Sequence, residues 1–360
     1  MTAEFPDAKS MNRRRFLARA GMAAVVPAAA TVLGSSRLSS ASAATSSSTP
    51  TYSPIPSSAI GPALNAEGYF VGAIADNLYW VTDSFYQAMF VTTRDGVVLV
   101  DAPPTIGHNL LRAVRAVTSA NGMPGTVTHL VYSHSHADHI GASSLFGSDV
   151  VRIGQAETRR LLLRDDDPNR PPPTVTFEHE YVLEVGGEVL KLAFHGPNHT
   201  PDNIFIFAPR QRTLMVVDVL FPGWVPFKGL AIAQDVPGWV PAQDVAMDYP
   251  WKTLVGGHLG RLGTRQDGLT QIQYIADLTT SAKAAIASVD PRPFFSFAPN
   301  AWAIFKGYLD AVTTQAADPI IAKYTGVLAA ADVYTFLNAA AMLDSLRIDT
   351  GDLGPFGDRP

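Results

Sequence analysis

The sequence predicts an α/β protein whose sheets are covered by helices and which ends in a helical extension. Three observations lead there. Between about residues 69 and 217, short β-branched and aromatic runs alternate with turn residues. Helical-period segments are interspersed among them. After about Arg265 the strand signals stop, and Ala-rich segments at helical period run to the end.

The first meander is expected from Tyr69–Ile74, Leu78–Thr82, Tyr86–Thr92 and Val97–Val100, separated by Asp-Asn, Asp-Ser and Arg-Asp-Gly turns. A helix follows over about Ile106–Ser119, where Leu110, Leu111, Val114 and Val117 share one face. An apolar strand, Thr128–Tyr132, leads into a histidine-rich turn. Further strands are expected at Val150–Ile153, Tyr181–Val185, Glu188–Phe194, Asn203–Phe207 and Leu214–Val217. Leu269–Val289, Trp302–Gln315 and Ala330–Leu346 read as helices that pack on the main domain or on a second subunit. There is no internal repeat of about 20–50 residues.

The N-terminus reads as an address. Asn12–Leu17 is N-R-R-R-F-L, with Arg13 and Arg14 paired, and precedes the weakly apolar run Ala20–Gly34, which is too short to span a bilayer. Ala41-Ser42-Ala43 then suits a signal peptidase. The segment resembles a twin-arginine (Tat) signal peptide, which implies export of a folded protein to the periplasm or beyond. The expected organisation is a signal peptide over 1–43, a Ser/Thr/Pro-rich linker over 44–65, a catalytic domain over 66–265 and the helical extension over 266–360. Deleting residues 270–360 is expected to harm solubility or oligomerisation before metal binding.

Composition narrows the function. With 360 residues, 47% of them hydrophobic and 16% charged, the chain can bury a sizeable core. Its 27 Lys and Arg against 32 Asp and Glu give a net charge of −5. Removing the six basic and two acidic side chains before Ala44 leaves 21 positive against 30 negative, a net charge of −9. No nucleic-acid partner is expected of such a chain. No membrane insertion is expected once the signal is removed. The absence of cysteine removes disulfides, thiolate nucleophiles, Cys-ligated zinc and iron–sulfur clusters together, so any metal must sit on His and carboxylate.

Residues 133–141 read S-H-S-H-A-D-H-I-G, placing His134, His136, Asp138 and His139 in one turn after a buried strand. Crowded imidazoles repel once protonated and leave polar atoms unsatisfied unless a divalent cation holds them. Zinc suits these ligands, and iron or manganese fit the same set. This H-x-H-x-D-H spacing resembles the metallo-β-lactamase superfamily, which implies a four-layer αβ/βα sandwich with metals at one edge between two sheets.

The resemblance implies three further ligands, and three candidates occur in order. His199 lies in H-G-P-N-H-T-P-D-N, Asp218 ends the apolar run L-M-V-V-D-V-L, and His258 lies in V-G-G-H-L-G. Carried over position by position, His134, His136 and His199 would hold one metal and Asp138, His139 and His258 a second, with Asp218 bridging. The resemblance covers about residues 69–262. It departs from common members at Asp202-Asn203 and at Val217, where glycine is frequent, which bears on the subfamily.

Two zinc ions per chain would generate a bridging hydroxide at neutral pH and polarise a substrate oxygen, with Asp138 and Asp218 orienting the nucleophile and passing a proton to the leaving group. The expected protein is an exported hydrolase of an ester-like bond, a lactone, ester, thioester or amide, acting on a small molecule. The alternatives are a β-lactamase, a mononuclear iron persulfide dioxygenase lacking an evident basic cluster for glutathione, and a hydrolytic aryl dehalogenase.

Substrate contacts are expected from the aromatic, Pro-rich stretch between Asp218 and His258. Trp224 and Phe227 read either as pocket or as loop core, as do Phe221 and Trp239, while Trp251 reads as core. His195 is a candidate substrate contact or partner of a ligand, and Lys228 the only cation nearby. His129 reads as packing or as a hydrogen-bond partner of a ligand. His108 and His179 read as surface. The run Arg164–Pro173 reads as a rigid loop reaching toward the site or a partner.

Overall fold

The computed structural model describes residues 51–357. The signal-peptide reading and the first part of the linker lie outside the described residues.

β1 (Phe70–Ala75), β2 (Leu78–Thr82), β3 (Gln87–Thr93) and β4 (Gly96–Val100) form an antiparallel meander. To it β5 (Val127–Val131), β6 (Val151–Gln155) and β7 (Val175–Phe177) add in parallel, so that the strands lie in sequence order. Tight turns suffice for the antiparallel pairs, whereas the parallel ones need crossovers. α1 (His108–Asn121) and α3 (Ala156–Asp165) provide two of these, and the connection from β5 to β6 carries the short α2 (Ala137–Ile140). The second sheet runs β12-β11-β10-β9-β8. β8 (Glu180–Val185), β9 (Glu188–Ala193), β10 (Phe205–Ala208) and β11 (Thr213–Val216) are antiparallel, and β12 (Thr253–Val255) pairs parallel to β11.

Side-chain alternation assigns each face. Ile206, Met215 and Val217 point between the sheets, against Met89, Val91, Val100 and Val131 of the first sheet. Phe205, Phe207, Leu214 and Val216 point the other way, into a core shared with Trp239, Tyr274, Leu278, Tyr308 and Val312. On the far face of the first sheet, Phe90, Leu99 and Leu130 pack on Leu110 and Val114 of α1. The result is the expected four layers, helix, sheet, sheet, helix, with α5 (Val236–Asp248), α6 (Arg265–Ser288), α7 (Ala301–Tyr324) and α8 (Ala331–Ile348) in the outer layer.

α6 starts where the strand signals cease because Thr264 and Asp267 form a reciprocal capping box. α7 extends beyond the expected Gln315, through Pro319 to Tyr324. The bond lost at a helical proline costs about 3 kcal/mol, and burial of Ile320 and Tyr324 opposes that loss. Neither α3 nor α5 was expected, since α5 carries Pro237, Gly238 and Pro241. Asp235 caps α5 by accepting from the Gly238 amide, and Gly238 is required because a Cβ there would lie 2.1 Å from the Pro197 carbonyl oxygen. Among the described residues no helix is long and apolar enough to cross a membrane.

Candidate metal centre

Four segments reach the site, each after the C-terminal end of a strand: His134 to His139 after β5, His199 after β9, Asp218 after β11 and His258 after β12. Local sequence explains their approach. Asp218 takes a left-handed backbone (φ 62°), which Asp tolerates better than most residues, and its carbonyl accepts from Trp239 Nε1 at 2.8 Å. The Gly256-Gly257 pair lets the His258 segment pass alongside. A Cβ on Gly257 would lie 2.5 Å from Val217, and one on Gly256 would lie 2.6 Å from the Leu220 oxygen. Asp101, at the end of β4, accepts from the Ser133 amide at 2.8 Å, and the Ala102 amide donates to His139 O at 2.8 Å. The first motif is thereby fixed to the neighbouring strand.

All seven expected ligands converge. His134, His136, His199 and Asp218 form one group and Asp138, His139 and His258 another, each with ligand-capable atoms within 4.8 Å of one another. Asp218 touches both groups. Its Oδ1 lies 2.9 Å from His258 Nε2, and its Oδ2 lies 3.1 Å from His199 Nε2, 3.2 Å from His139 Nε2 and 3.6 Å from His134 Nε2. Imidazole nitrogens face each other at 3.1 Å in two pairs, His136 with His199 and His139 with His258. His134 Nε2 is buried without a hydrogen-bond partner among the described residues. Facing imidazole nitrogens and an orphaned buried nitrogen around one carboxylate fit a divalent cation, and the nitrogen and oxygen donors suit zinc.

Burial pushes His199 down to about 4, and burial with the neighbouring imidazoles holds His134 well below its usual value. Burial would also lower His139, but the Asp218 and Asp138 carboxylates outweigh it and hold His139 at about 9. Asp218 is held well below the carboxylate range, since His199, His258 and His139 outweigh its own burial. Metal binding needs neutral imidazole, so a cation held here would compete with any proton that these carboxylates favour on His139.

A cavity of about 900 Å³ opens over the cluster, lined on the metal side by His136, Asp138, His199, Asp218 and His258. Phe221, Trp224 and Phe227 line it as well. Trp239 and Trp251 are fully buried core residues. The expected role of His195 is corrected: it is not among the cavity-lining residues, because the chain after β9 turns it onto Phe205 and Tyr249, where Nε2 meets the Tyr249 hydroxyl at 2.7 Å. Lys228 does not line the cavity either. His129 meets Thr128 Oγ1 at 3.0 Å and stays away from the cluster. The two departures from the family pattern have structural partners. The Asn203 amide donates to Asn198 Oδ1 and Val217 O, both at 2.9 Å, and Val217 is core.

Other contributors were not singled out from the sequence. Tyr86 lies against the rings of His139 and His258, with its hydroxyl beside Asp138. Arg170, in the loop expected to reach the site, donates from Nη1 to Ser135 O at 2.7 Å while Asp167 holds its Nε at 2.9 Å. Arg170→Ala should weaken metal retention by roughly tenfold, the lower range for partners that orient ligands, without unfolding the protein. Competition against a chelator measures it, and unchanged affinity would detach the loop from the centre.

Residues 81–258 match the metallo-beta-lactamase superfamily profile. The chain is 25% identical over 228 residues, 59% of its length, to the 2,4-dinitroanisole O-demethylase subunit alpha of Nocardioides sp. (strain JS1661), and 27% identical over 130 residues, 36% of its length, to metallo-beta-lactamase IND-1 of Chryseobacterium indologenes. These matches span 63% and 52% of the relatives' own lengths, less than two thirds in each case. Among solved structures, a metallo-beta-lactamase from Pontibacter korlensis is similar at 23% identity and a TM-score of 0.47, over 57% of this chain and 99% of that one.

Proposed function

Residues 81–258 are a domain of the metallo-β-lactamase superfamily, and from that premise we propose that the protein is an exported, dinuclear zinc hydrolase that cleaves an ester-like bond in a small molecule. The observation that carries this reading is the Asp218 carboxylate, which presents one oxygen to His258 and the other to His199, His139 and His134. In this reading His134, His136 and His199 hold one cation, Asp138, His139 and His258 the other, and Asp218 serves both. Bound there, two divalent cations supply Lewis acidity and a nucleophile at neutral pH. The protein's own groups divide the remaining work. Asp218, with a 5% exposed side chain, is committed to holding the cluster. Asp138 is 42% exposed and faces the cavity, so it is the carboxylate placed to carry a proton to the leaving group. Export rests on the Arg13-Arg14 pair and on Ala41-Ser42-Ala43.

A second reading is favoured by the aromatic wall together with the dinitroanisole O-demethylase relative: hydrolysis of an activated aryl ether or aryl halide at the same centre. The deciding experiment is elemental analysis of protein beginning at residue 44, purified without added metal, followed by rates on lactone, aryl ester, thioester, β-lactam and activated aryl ether substrates. About two zinc per chain with turnover of an acyl substrate is the expected result. About one iron per chain, with oxygen uptake on a persulfide and no hydrolysis, would overturn it.

A further inference from the structure

The cavity wall away from the metal side is built by three segments that come from outside the sheets. The first is the Pro-rich stretch 51–64, which follows the domain surface as a strap. Trp224 Nε1 donates to Ala59 O at 3.2 Å, the Ser53 amide donates to Asp332 Oδ2 at 2.6 Å, and Ala59 is buried. Gly61 presses on Gly260 so closely that a Cβ would lie 1.8 Å from its carbonyl oxygen. The second is the turn α4 (Lys228–Ile232), in which Gly229, Leu230, Ala231 and Ile232 all have left-handed φ, between 54° and 63°. Left-handed backbone costs L-residues roughly 1–2 kcal/mol each, so something must hold it. Asn338 of α8 does so, accepting from the Leu230 amide at 2.9 Å and donating to Pro226 O at 3.0 Å. The third is the start of α8, where Ala330 and Tyr334 line the cavity and Tyr334 packs edge-on to Phe227.

The chemistry of this wall is one-sided. Among the described residues no lysine or arginine lines the cavity, and away from the metal cluster none of its described lining residues is charged. Large apolar side chains stand at its mouth although they are solvent-exposed: Ile55 (50%), Ile60 (62%), Phe85 (69%), Phe227 (44%) and Ile232 (56%). Exposed apolar clusters of this kind mark binding surfaces rather than ordinary surface. A volume near 900 Å³ is at the upper end of the roughly 300–1,000 Å³ of small-molecule sites.

Resting on the hydrolase reading above, we propose that the substrate is a large, uncharged, predominantly apolar molecule, whose non-reacting part is held between the 51–64 strap and the α4–α8 wall. A carboxylate on that part would lose its hydration with no lysine or arginine among the described lining residues to receive it. An apolar chain gains up to about fourfold in binding for each methylene it buries.

Two measurements on the metal-loaded protein test this. The first compares kcat/KM for 4-nitrophenyl butanoate, octanoate and dodecanoate with that of the 4-nitrophenyl monoester of dodecanedioate. Rates should climb with chain length, and the terminal carboxylate should cost at least about tenfold. Ile60→Arg, at an exposed position, should narrow that gap by lowering the neutral dodecanoate and raising the acid. A preference for the short or the carboxylated ester, or a gap untouched by Ile60→Arg, overturns the proposal. The second measurement follows binding of the neutral dye Nile red by fluorescence and needs no turnover. One dye per chain, bound at least about tenfold more weakly by Phe227→Ala and by Ile60→Arg, supports the cavity assignment. No binding, or binding that ignores both variants, overturns it. If neither these esters nor the lactone, thioester and β-lactam substrates are hydrolysed while the dye behaves as expected, the hydrolase reading fails and the apolar site stands.

Discussion

Replacing Asp218 by alanine is expected to lower turnover by at least about a hundredfold and to strip metal from the centre, while the protein stays folded. The magnitude follows from position. Groups that merely orient ligands cost roughly 10- to 100-fold when lost, and Asp218 contacts four of the five clustered histidines itself. Its removal leaves His139 without the main anion that outweighs its desolvation, so the His139 imidazole would fall from about 9. The fold survives because the structural contacts of residue 218 are made by its backbone: the amide donates to Gly256 O and the carbonyl accepts from Trp239 Nε1. Alanine retains both and adds a penalty of about 1–2 kcal/mol for the left-handed φ. Elemental analysis after dialysis, steady-state rates and a thermal melt distinguish the effects. A variant with full metal and full rate would remove Asp218 from the centre, and one that does not fold would assign it a structural role.

The metal cluster was legible in the sequence because its chemistry is local. Three imidazoles and a carboxylate in one six-residue turn admit few explanations, and the resemblance to the superfamily pointed to His199, Asp218 and His258 behind it. Most strands were legible because β-branched and aromatic runs bounded by turn residues need no knowledge of the partner, whereas the three-residue β7 was too short to read. What could not be read depended on distant partners. The six aromatic residues between Asp218 and His258 look alike in sequence. Trp239 is core because its indole reaches the Asp218 carbonyl, whereas Trp224 faces the cavity because residues 56–59 lie across it. His195, four residues from a ligand, points elsewhere because the Gly196-Pro197 turn separates it from His199. Helix α5 was hidden by its prolines, and the left-handed α4 turn has no sequence signature apart from Gly229, since Asn338 holds it from more than 100 residues away.

Removing residues 265–357 is expected to abolish soluble, folded protein, a harsher outcome than the loss of an appendage. The four outward residues of the second sheet, Phe205, Phe207, Leu214 and Val216, share one core with α6, α7 and α8. Re-exposing side chains of this size costs about 1.5–3 kcal/mol each, so together they approach the whole 5–15 kcal/mol that typically holds a domain folded. The helices also hold the backbone that follows Asp218. Gln271 on α6 accepts from the Phe221 amide at 2.8 Å and donates to Val219 O at 2.7 Å, bracketing the backbone that follows Asp218. Gln271→Ala is therefore the milder probe. It leaves the Phe221 amide and the Gln243 oxygen without this partner in the interior, at about 1–3 kcal/mol each. It should lower the denaturation midpoint and loosen metal retention together, because one side chain serves both the fold and the loop that carries Asp218. A truncated chain that is soluble, unfolds cooperatively and keeps its metal would instead make the helices a separable cover. A Gln271→Ala protein that loses stability but keeps its affinity for metal would confine α6 to packing.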